Sequence, residues 1–367
     1  DMAAYLFITD TDYNSGKITG AHRRFLELVK GVAEHNKVVL IASNIPQLRD
    51  DERIRMISTT SCKFNLPAHI RGMIELIGGL KNAKGKVTYD YAVSFHATNT
   101  ICYKLCGYKK VTSIFREDLV GYQKSIGASA LKIGYYRLIE YLAVKASDKV
   151  IVQCNSDKTA LLDRHQRFVH GLNDKVYVQI NNANASWMNT NCVERRRVET
   201  EKINILFIGD FSDDRKGHKQ LLEAVSTLID ENYNINLYIA GDGSQLKFYR
   251  KKYEGYRGIN FLGRVAVKDY FEICDFEMVP SLMDSCPNTV LEGINAGIAV
   301  YGSNRGGIPD LLQKAEYLFE PDYNSICSFL RRIIDGKRYI VDSIRQKEIK
   351  SRLSFNWAGK IEEIIEE

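Results

Sequence analysis

Short β-rich runs alternate with amphipathic, helix-forming segments along most of the chain, and this alternation occurs twice. The first series begins with YLFITD at Tyr5 and ends with VYVQINN near residue 182. The second begins with INILFIGD at Ile203 and ends with YLFE at residues 317–320. Strands that alternate with helices in this way form parallel sheets with helices on both faces. The sequence therefore predicts two tandem doubly wound, Rossmann-like α/β domains.

A polar segment, NTNCVERRRVETEK, separates the two series. We expect an N-terminal domain over residues 1–182, an interdomain linker over 183–202, a second domain over 203–345 and a C-terminal helical segment over 346–367. Ligands of doubly wound sheets bind at the carboxyl ends of the strands. Two such domains facing a central cleft are therefore expected to place their ligand there.

Composition restricts the class of protein. The 367 residues are 45% hydrophobic and 26% charged, and no run approaches the roughly 18 apolar residues of a membrane span. The opening segment is too short for a signal peptide, so we expect a cytoplasmic protein. The eight cysteines form no CxxC pair, which favours buried, reduced thiols over a zinc site.

Charge differs between the two halves of the chain. Residues 1–182 contain 26 Lys and Arg against 17 Asp and Glu, whereas the remainder contains 25 against 28. Such a division indicates that different surfaces meet different partners. Within the basic half, a predicted helix near residues 123–146 interleaves lysines with tyrosines, which suits an anionic membrane surface or a core helix with a solvated basic edge. No nucleic-acid-binding module accompanies this charge.

The segment DSCPNTVLEGINAG predicts a helix next to a ligand site. Ser285 is a suitable N-cap, Pro287 fits the first helical turn and Gly297 fits the position just past the C-terminus. The free N–H groups near Asn288 and Thr289 would then bind an anion, most often a phosphate.

Two carboxylates, Asp284 and Glu292, flank this predicted anion site. Because carboxylates repel phosphate, the arrangement suits hydroxyl groups on both sides of a phosphate, as in a nucleoside diphosphate sugar. The alternative is that Asp284 favours the helix dipole and Glu292 lies on a solvated face. This segment alone leaves both interpretations open.

Other strand-to-helix loops carry candidates that also have a structural interpretation. Arg215 and Lys216, in FIGDFSDDRKGHKQLLEAV, would meet a diphosphate or lie in a solvated loop. His96 ends the strand YDYAVSFH, a position that favours function, although a lone histidine is more often structural. Glycines at three sites would either relieve turns or let a ligand approach closely: Gly16 and Gly20, Gly241 and Gly243, Gly306 and Gly307.

Together, these motifs resemble the nucleotide-sugar-binding half of a retaining glycosyltransferase of the GT-B fold, family 4. The resemblance covers about residues 203–313 and is carried in order by these segments: IGDFSDDRKGHKQLLEAV, LYIAGDG, INFLGRV, VPSLMDSCPNTVLEGINAG and NRGGIPDLL. The closing SFNW and its helix are similar to the family's tail, which packs back on the first domain. The likeness is looser over residues 1–182, whose counterpart holds the acceptor.

The resemblance implies roles for individual residues. Asp284 matches the first acid of an E-x7-E motif, which contacts the transferred sugar, and Glu292 matches the second, which binds the ribose. Lys216 matches a basic residue that neutralises the leaving diphosphate, and His96 matches a first-domain histidine near the reacting carbon. The catalytic candidates are thus Lys216, Arg215, Asp284 and His96, and the donor-binding candidates are Glu292, Asn288, Thr289, Gly241, Gly243, Gly16, Gly20 and Gly307.

Two positions depart from the family pattern. Asp284 is one methylene shorter than the family's glutamate. The family's frequent Gly-Arg pair reads Gly209-Asp210 here, which leaves Arg215 as the available substitute. These departures concern the donor and the rate of turnover more than the fold.

The resemblance implies transfer of a hexose-type sugar from a nucleoside diphosphate, with UDP favoured over GDP, to a hydroxyl of a glycan or a lipid-linked acceptor. It implies retention of configuration, no cofactor and no metal, because cations of the protein replace the metal. The expected localisation is cytoplasmic, with peripheral contact to the inner membrane face. A non-catalytic GT-B subunit that binds glycan or stabilises an active partner is the main alternative, and a sugar-nucleotide epimerase is a weaker one.

Overall fold

The chain divides into two compact units in a computed structural model that describes residues 2–10, 19–43, 45–63, 68–188 and 202–367. The first unit comprises Asp1–Gln179 together with Asn356–Glu367, and the second comprises Ile180–Phe355. Each unit contains a parallel sheet with helices packed against it. The prediction of two doubly wound α/β domains is confirmed.

In the first unit, the described residues form seven parallel strands in the order β3-β2-β1-β4-β5-β6-β7. The strands are β1 Ala4–Ile8, β2 Lys37–Ala42, β3 Ile54–Ser58, β4 Tyr91–Ser94, β5 Val111–Ile114, β6 Lys149–Val152 and β7 Val176–Val178. The helices are α1 Gly20–Ala33, α2 Ala68–Ala83, α3 Ala97–Leu105, α4 Leu119–Ser125, α5 Ala130–Ala146, α6 Asn155–His165 and α7 Leu172–Lys175, with a 3-10 turn at Pro46–Leu48.

The central strands of this sheet are buried on both faces, which explains their continuous apolar sequence. In β1, Leu6 pairs in register with Val39 of β2, and all three residues Leu6, Phe7 and Ile8 are fully buried. Parallel strands covered by helices on both faces need apolar side chains on both faces. The alternation in the sequence is therefore between strands and helices, and not between apolar and polar residues within each central strand.

The predicted long helix near residues 123–146 is wrong, because the structure divides it into α4 and α5. The break contains Gly127, whose φ of 67° lies in the left-handed region. Ser129 then caps α5, accepting a hydrogen bond from the Lys132 N–H at 3.3 Å. A glycine followed by a serine cap ends one helix and starts another.

In the second unit, the described residues form six parallel strands in the order β10-β9-β8-β11-β12-β13. The strands are β8 Ile203–Ile208, β9 Ile235–Ala240, β10 Ile259–Gly263, β11 Phe276–Val279, β12 Ala299–Ser303 and β13 Leu318–Phe319. The helices are α8 His218–Asp230, α9 Leu246–Lys252, α10 Lys268–Ile273, α11 Asn288–Ala296, α12 Ile308–Leu312, α13 Tyr323–Asp335, α14 Arg338–Arg345 and α15 Lys347–Arg352, with 3-10 turns at Asp214–Lys216 and Ala315–Tyr317.

The boundaries of the units differ from the predicted ones. Ala183 and Met188, expected in a linker over residues 183–202, are buried in the core of the second unit. The Ala183 N–H donates to the Leu353 carbonyl at 2.8 Å, which ties this segment to the end of α15. The rest of the predicted linker, residues 189–201, lies outside the described residues. The predicted C-terminal segment 346–367 likewise divides, since α15 belongs to the second unit.

The last helix, α16 Trp357–Glu366, belongs to the first unit and packs on α1. Its buried residues are Trp357, Ala358, Ile361 and Ile365. The two helices approach closely at Gly31, where an added Cβ would lie 2.4 Å from the Cβ of Ala358. The apolar spacing in the sequence thus corresponds to the buried face of a real helix.

None of the helices within the described residues is long and apolar enough to cross a bilayer. No disulfide joins two of the described cysteines, and all of them but Cys62 are buried. Cys192 lies outside the described residues.

Candidate functional site

Loops at the carboxyl ends of four strands of the second unit meet and hold one another by backbone hydrogen bonds. The loops after β8 and β9 are joined by the Phe211 N–H, which donates to the Asp242 carbonyl at 2.9 Å. The loops after β8 and β11 are joined by the Leu282 N–H, which donates to the Arg215 carbonyl at 2.7 Å. The edge where α/β sheets bind ligands is therefore a connected set of loops.

Lys216 and Asp284 form an ion pair at this edge. Lys216 Nζ donates a hydrogen bond to Asp284 Oδ2, and both side chains are largely shielded from solvent. The two residues are 68 positions apart in the chain. The sequence analysis assigned them to the diphosphate and the sugar separately, whereas the structure places them in contact.

Gly217 makes this contact possible. It follows the 3-10 turn that carries Lys216 and has a φ of 69°, in the left-handed region. An added Cβ would lie 1.9 Å from the carbonyl oxygen of Pro280. Only glycine lets the loop after β8 approach the loop after β11 so closely.

Arg215 points to a different partner. Its Nε lies 3.2 Å from both carboxylate oxygens of Asp213, and its backbone N–H also donates to Asp213 at 2.9 Å. The guanidinium is therefore engaged with its own loop in the structure. A diphosphate would have to attract Arg215 away from Asp213 before Arg215 could take the place of the arginine in the family's Gly-Arg pair.

The helix α11 presents its N-terminus at the same edge. Asn288 and Thr289 are its first two residues and keep partial solvent exposure. Pro287, rather than Ser285, occupies the N-cap position, so no side-chain oxygen caps the first turn within the described part of the chain. Backbone N–H groups left without a capping side chain can bind an anion, in keeping with the predicted site.

The prediction that Ser285 caps α11 is wrong, because the helix begins three residues after it. Ser285 is instead buried, and its hydroxyl has no hydrogen-bond partner among the described residues. Gly297 ends the helix as predicted, with a φ of 83°.

Glu292 lies on the second turn of α11, half-buried. Beneath this helix lies Glu277, a residue of β11 that is 0% exposed. Neither carboxyl oxygen of Glu277 has a hydrogen-bond partner in the described ranges. Burial, and then the nearby charge of Glu292, raise the pKa of Glu277 well above its ordinary value of 4.5. The surroundings of Glu277 therefore disfavour its charged form.

Glu277 was missed by the sequence analysis, although the sequence contained a signal for it. A single acid stands within the strand sequence FEMV, whose four residues are all buried. Gly293 provides its space on α11, since an added Cβ there would lie 2.1 Å from Glu277 Oε2.

The glycines predicted to bind the donor serve contacts between loops. A Cβ added to Gly241 would lie 1.8 Å from the carbonyl oxygen of Gly209. A Cβ added to Gly243 would lie 2.3 Å from the carbonyl carbon of Phe211. The Gly307 N–H donates to the Asp284 carbonyl at 2.9 Å. In each case the neighbouring space holds backbone, so these glycines shape the loops around Lys216 and Asp284.

His96 lies in the first unit at the N-cap of α3, two residues after the end of β4 at Ser94. Desolvation, the largest effect, lowers the pKa of His96; Arg116 and His22 add to this and Asp10 opposes it. His96 is an exposed residue, so its side chain is open to a ligand. Asn99 of α3 donates to Asp10 Oδ1 at 3.2 Å, a neighbourhood that the sequence analysis missed.

The remaining predicted glycines also belong to the first unit. Gly20 is the first residue of α1, following Thr19 at the N-cap. Gly16 lies outside the described residues. Across the ranges that the structure describes, no cluster of three or more His, Cys, Asp and Glu side chains could hold a metal ion.

The second unit matches a known class of protein. Residues 202–335 match the family described as "Glycosyl transferases group 1". This range contains the loops around Lys216 and Asp284 and the whole of α11. The fold of the chain is of the GT-B type, with two parallel-sheet, Rossmann-like units.

Particular relatives share part of the sequence. Protein CapJ of Staphylococcus aureus is 33% identical over 154 residues, which are 40% of this chain and 39% of CapJ. The O-antigen biosynthesis glycosyltransferase WbnH of Escherichia coli is 25% identical over 166 residues, which are 44% of this chain and 46% of WbnH. The chain therefore aligns with less than half the length of these curated relatives.

Solved structures are similar over the full chain. Sucrose-phosphate synthase from Thermosynechococcus elongatus has a TM-score of 0.80 at 16% identity, covering 99% of this chain and 98% of that one. HepE from Anabaena, in complex with UDP and glucose, has a TM-score of 0.72 at 12% identity, covering 99% of both chains. At this identity the similarity shows the fold.

Proposed function

We propose that this protein is a retaining glycosyltransferase of family 4 that moves a hexose-type sugar from a nucleoside diphosphate to a hydroxyl group. The observation that carries the proposal is the Lys216–Asp284 pair beside the N-terminus of α11. A cation, a helix N-terminus and a carboxylate at one sheet edge suit a diphosphate joined to a sugar.

In this proposal, Lys216 and the N–H groups of Asn288 and Thr289 stabilise the negative charge that develops on the leaving diphosphate. Preorganised charges of this kind are often the largest contribution to catalysis. Asp284 accepts hydrogen bonds from hydroxyls of the transferred sugar, and Glu292 accepts them from the ribose. Lys216 and these N–H groups take the place of a metal ion in the proposal.

The proposed reaction balances without an enzymic nucleophile. The bond between the anomeric carbon and the diphosphate oxygen breaks through an oxocarbenium-like state. The acceptor hydroxyl bonds to that carbon on the same face, and its proton passes to the leaving phosphate oxygen. His96, in the first unit, is proposed as a further catalytic residue on the family resemblance alone.

A uridine nucleotide is the proposed donor carrier, and a glycan or lipid-linked saccharide the proposed acceptor. The solved structure of HepE is a complex with UDP and glucose. The relatives WbnH and WbiN are named for O-antigen biosynthesis. A role in cell-surface polysaccharide or glycoconjugate synthesis, on the cytoplasmic side of the membrane, is consistent with both.

A panel of nucleotide sugars tests this function. Thermal shift should identify the donor, and mass spectrometry of incubations with that donor should detect the free nucleoside diphosphate and a glycosylated product. Asp284→Asn is the matched variant, because it keeps the shape of the side chain and removes its charge. Donor binding without hydrolysis or transfer to any acceptor would contradict an active transferase.

One observation favours a second candidate, a non-catalytic GT-B subunit that binds glycan or stabilises a partner. Arg215 is engaged with Asp213, so the residue expected to replace the family arginine is already paired. Stimulation of a partner glycosyltransferase by an Asp284→Asn variant would support this candidate.

A further inference from the structure

One side of α5 carries a stripe of exposed apolar side chains. Leu131, Tyr135, Leu138 and Leu142 follow one another at spacings of four, three and four residues, which places them on one side of a helix. They are 89%, 41%, 53% and 38% exposed, respectively. At 1.5 Å per residue the stripe is about 16 Å long.

The opposite face of α5 contains the only acid of the helix. Glu140 is buried, and its carboxylate accepts hydrogen bonds from Arg164 Nε at 2.7 Å and contacts His165 Nε2 at 2.7 Å. Ala143 and Val144 pack in the core on this side. The helix therefore turns its carboxylate toward the protein and its leucines toward solvent, the reverse of an ordinary surface helix.

Exposed cations surround the stripe. Lys132 and Arg137 flank it on either side of the helix, Lys145 lies at its C-terminal end, and Lys124 belongs to the preceding helix α4. No exposed acid lies on α5, because Glu140 is buried. The surface thus combines apolar side chains with exposed positive charges.

We propose that this surface, formed by Leu131, Tyr135, Leu138 and Leu142 with the four cations, docks the protein on an anionic lipid bilayer. An interfacial helix inserts its apolar side chains among the acyl chains while lysine and arginine meet anionic headgroups. The absence of exposed acids on α5 favours a negatively charged partner over a second copy of this basic surface. Because the proposal concerns a surface of the first unit, it does not depend on glycosyl transfer.

Co-sedimentation of the full chain with phosphatidylcholine vesicles, with and without phosphatidylglycerol, tests the surface. Binding is expected only to vesicles that contain phosphatidylglycerol, and it should weaken with added salt. Neutralising Lys132 or Arg137 to Gln should lower the partition coefficient about five-fold for each charge. Leu138→Ser should lower it about ten-fold although it changes no charge.

Insertion and mere electrostatic attraction can be distinguished with a fluorescent side chain. Tyr135→Trp, in a chain whose native tryptophans are replaced by Phe, should show a blue shift and quenching by brominated lipids when vesicles are added. Val341→Ser with Ile344→Ser, on exposed positions of α14 in the second unit, is the matched control and should bind vesicles as the wild type does. UDP binding should be unchanged in all of these variants.

Three results would overturn the proposal. The first is no binding to phosphatidylglycerol vesicles at low ionic strength, and the second is vesicle binding by Leu138→Ser equal to that of the wild type. The third is a concentration-dependent dimer in sedimentation velocity that Leu138→Ser abolishes, since α5 would then be a protein interface. Failure of UDP binding with normal vesicle binding would contradict the proposed function and leave the docking surface supported.

Discussion

Replacing Glu277 by leucine should stabilise the second unit, and the gain should increase with pH. The carboxyl of Glu277 is fully buried, and it has no hydrogen-bond partner among the described residues. Burial and Glu292 raise its pKa well above 4.5. The folded protein therefore retains a proton that the unfolded chain releases as pH rises past the ordinary glutamate range.

Two effects set the size of the gain. Removing buried oxygens that lack partners contributes about 1–3 kcal/mol at any pH. Between the unfolded and the folded pKa of Glu277, the free energy of unfolding of the wild type also falls by up to about 1.4 kcal/mol per pH unit, because the folded state binds one more proton. Leucine cannot titrate, so this second loss is absent in the variant.

Urea unfolding over a pH series measures both effects, provided that the probe reports on one unit. The chain has two tryptophans, of which Trp357 lies in the first unit and Trp187 packs against the core of the second. A Trp357→Phe background leaves Trp187 as the reporter of the unit that contains Glu277.

Glu277→Gln is the control for the two effects. It should resemble the wild type at acidic pH and show a flatter pH dependence, since the amide keeps the shape but cannot ionise. Parallel pH curves for the wild type and Glu277→Leu, or lower stability of the leucine variant at every pH, would refute the reasoning. Parallel curves would mean that the folded protein does not raise the pKa of Glu277, and lower stability at every pH would mean that leucine fits the site less well than the carboxyl side chain.

Three further variants address the proposed donor site, with donor affinity measured by calorimetry and turnover by release of the nucleoside diphosphate. Lys216→Ala should reduce turnover by about 10²–10³ with a smaller effect on donor affinity, because the leaving-group charge is greatest in the transition state; equal losses in both would assign Lys216 to ground-state binding. Glu292→Ala should weaken donor binding by about 1.5–3 kcal/mol, as the ribose loses a charged acceptor, and unchanged affinity in a folded variant would remove Glu292 from the site. Asp284→Glu restores the family residue and should alter the rate or the choice of sugar, and wild-type behaviour with every donor would place the sugar contact elsewhere.

The sequence predicted the architecture because its local patterns and the fold agree. Each β-rich run became a parallel strand. The apolar spacing of Trp357, Ile361, Ile364 and Ile365 predicts a helix, and three of these residues, all but Ile364, are buried in α16. The prediction of one long helix near residues 123–146 was wrong because a single residue, Gly127, adopts a left-handed conformation. A glycine within a helical pattern is compatible with either outcome, and packing decides which one occurs.

The site was predictable in its members but not in their contacts. Lys216 and Asp284 were both selected, yet their pairing depends on how closely Gly217 approaches Pro280 across two loops. Such distances follow from tertiary packing, on which a spacing of 68 residues carries no information. The prediction for Ser285 failed for a similar reason. A serine hydroxyl caps a helix only from the residue just before its first turn, and packing decides where the helix begins.

Because α16 belongs to the first unit, the two units can be completed only in a particular order during translation. Until residues 357–366 emerge, α1 lacks the partner that covers Gly31, and the hydroxyl of Tyr5 lacks Glu366, to which it donates at 2.7 Å. Lys149 likewise lacks the carbonyl of Ile364, which accepts from Nζ at 2.7 Å. The unit whose strands are translated first is thus the last to be completed, and the whole of the second unit is translated before that completion.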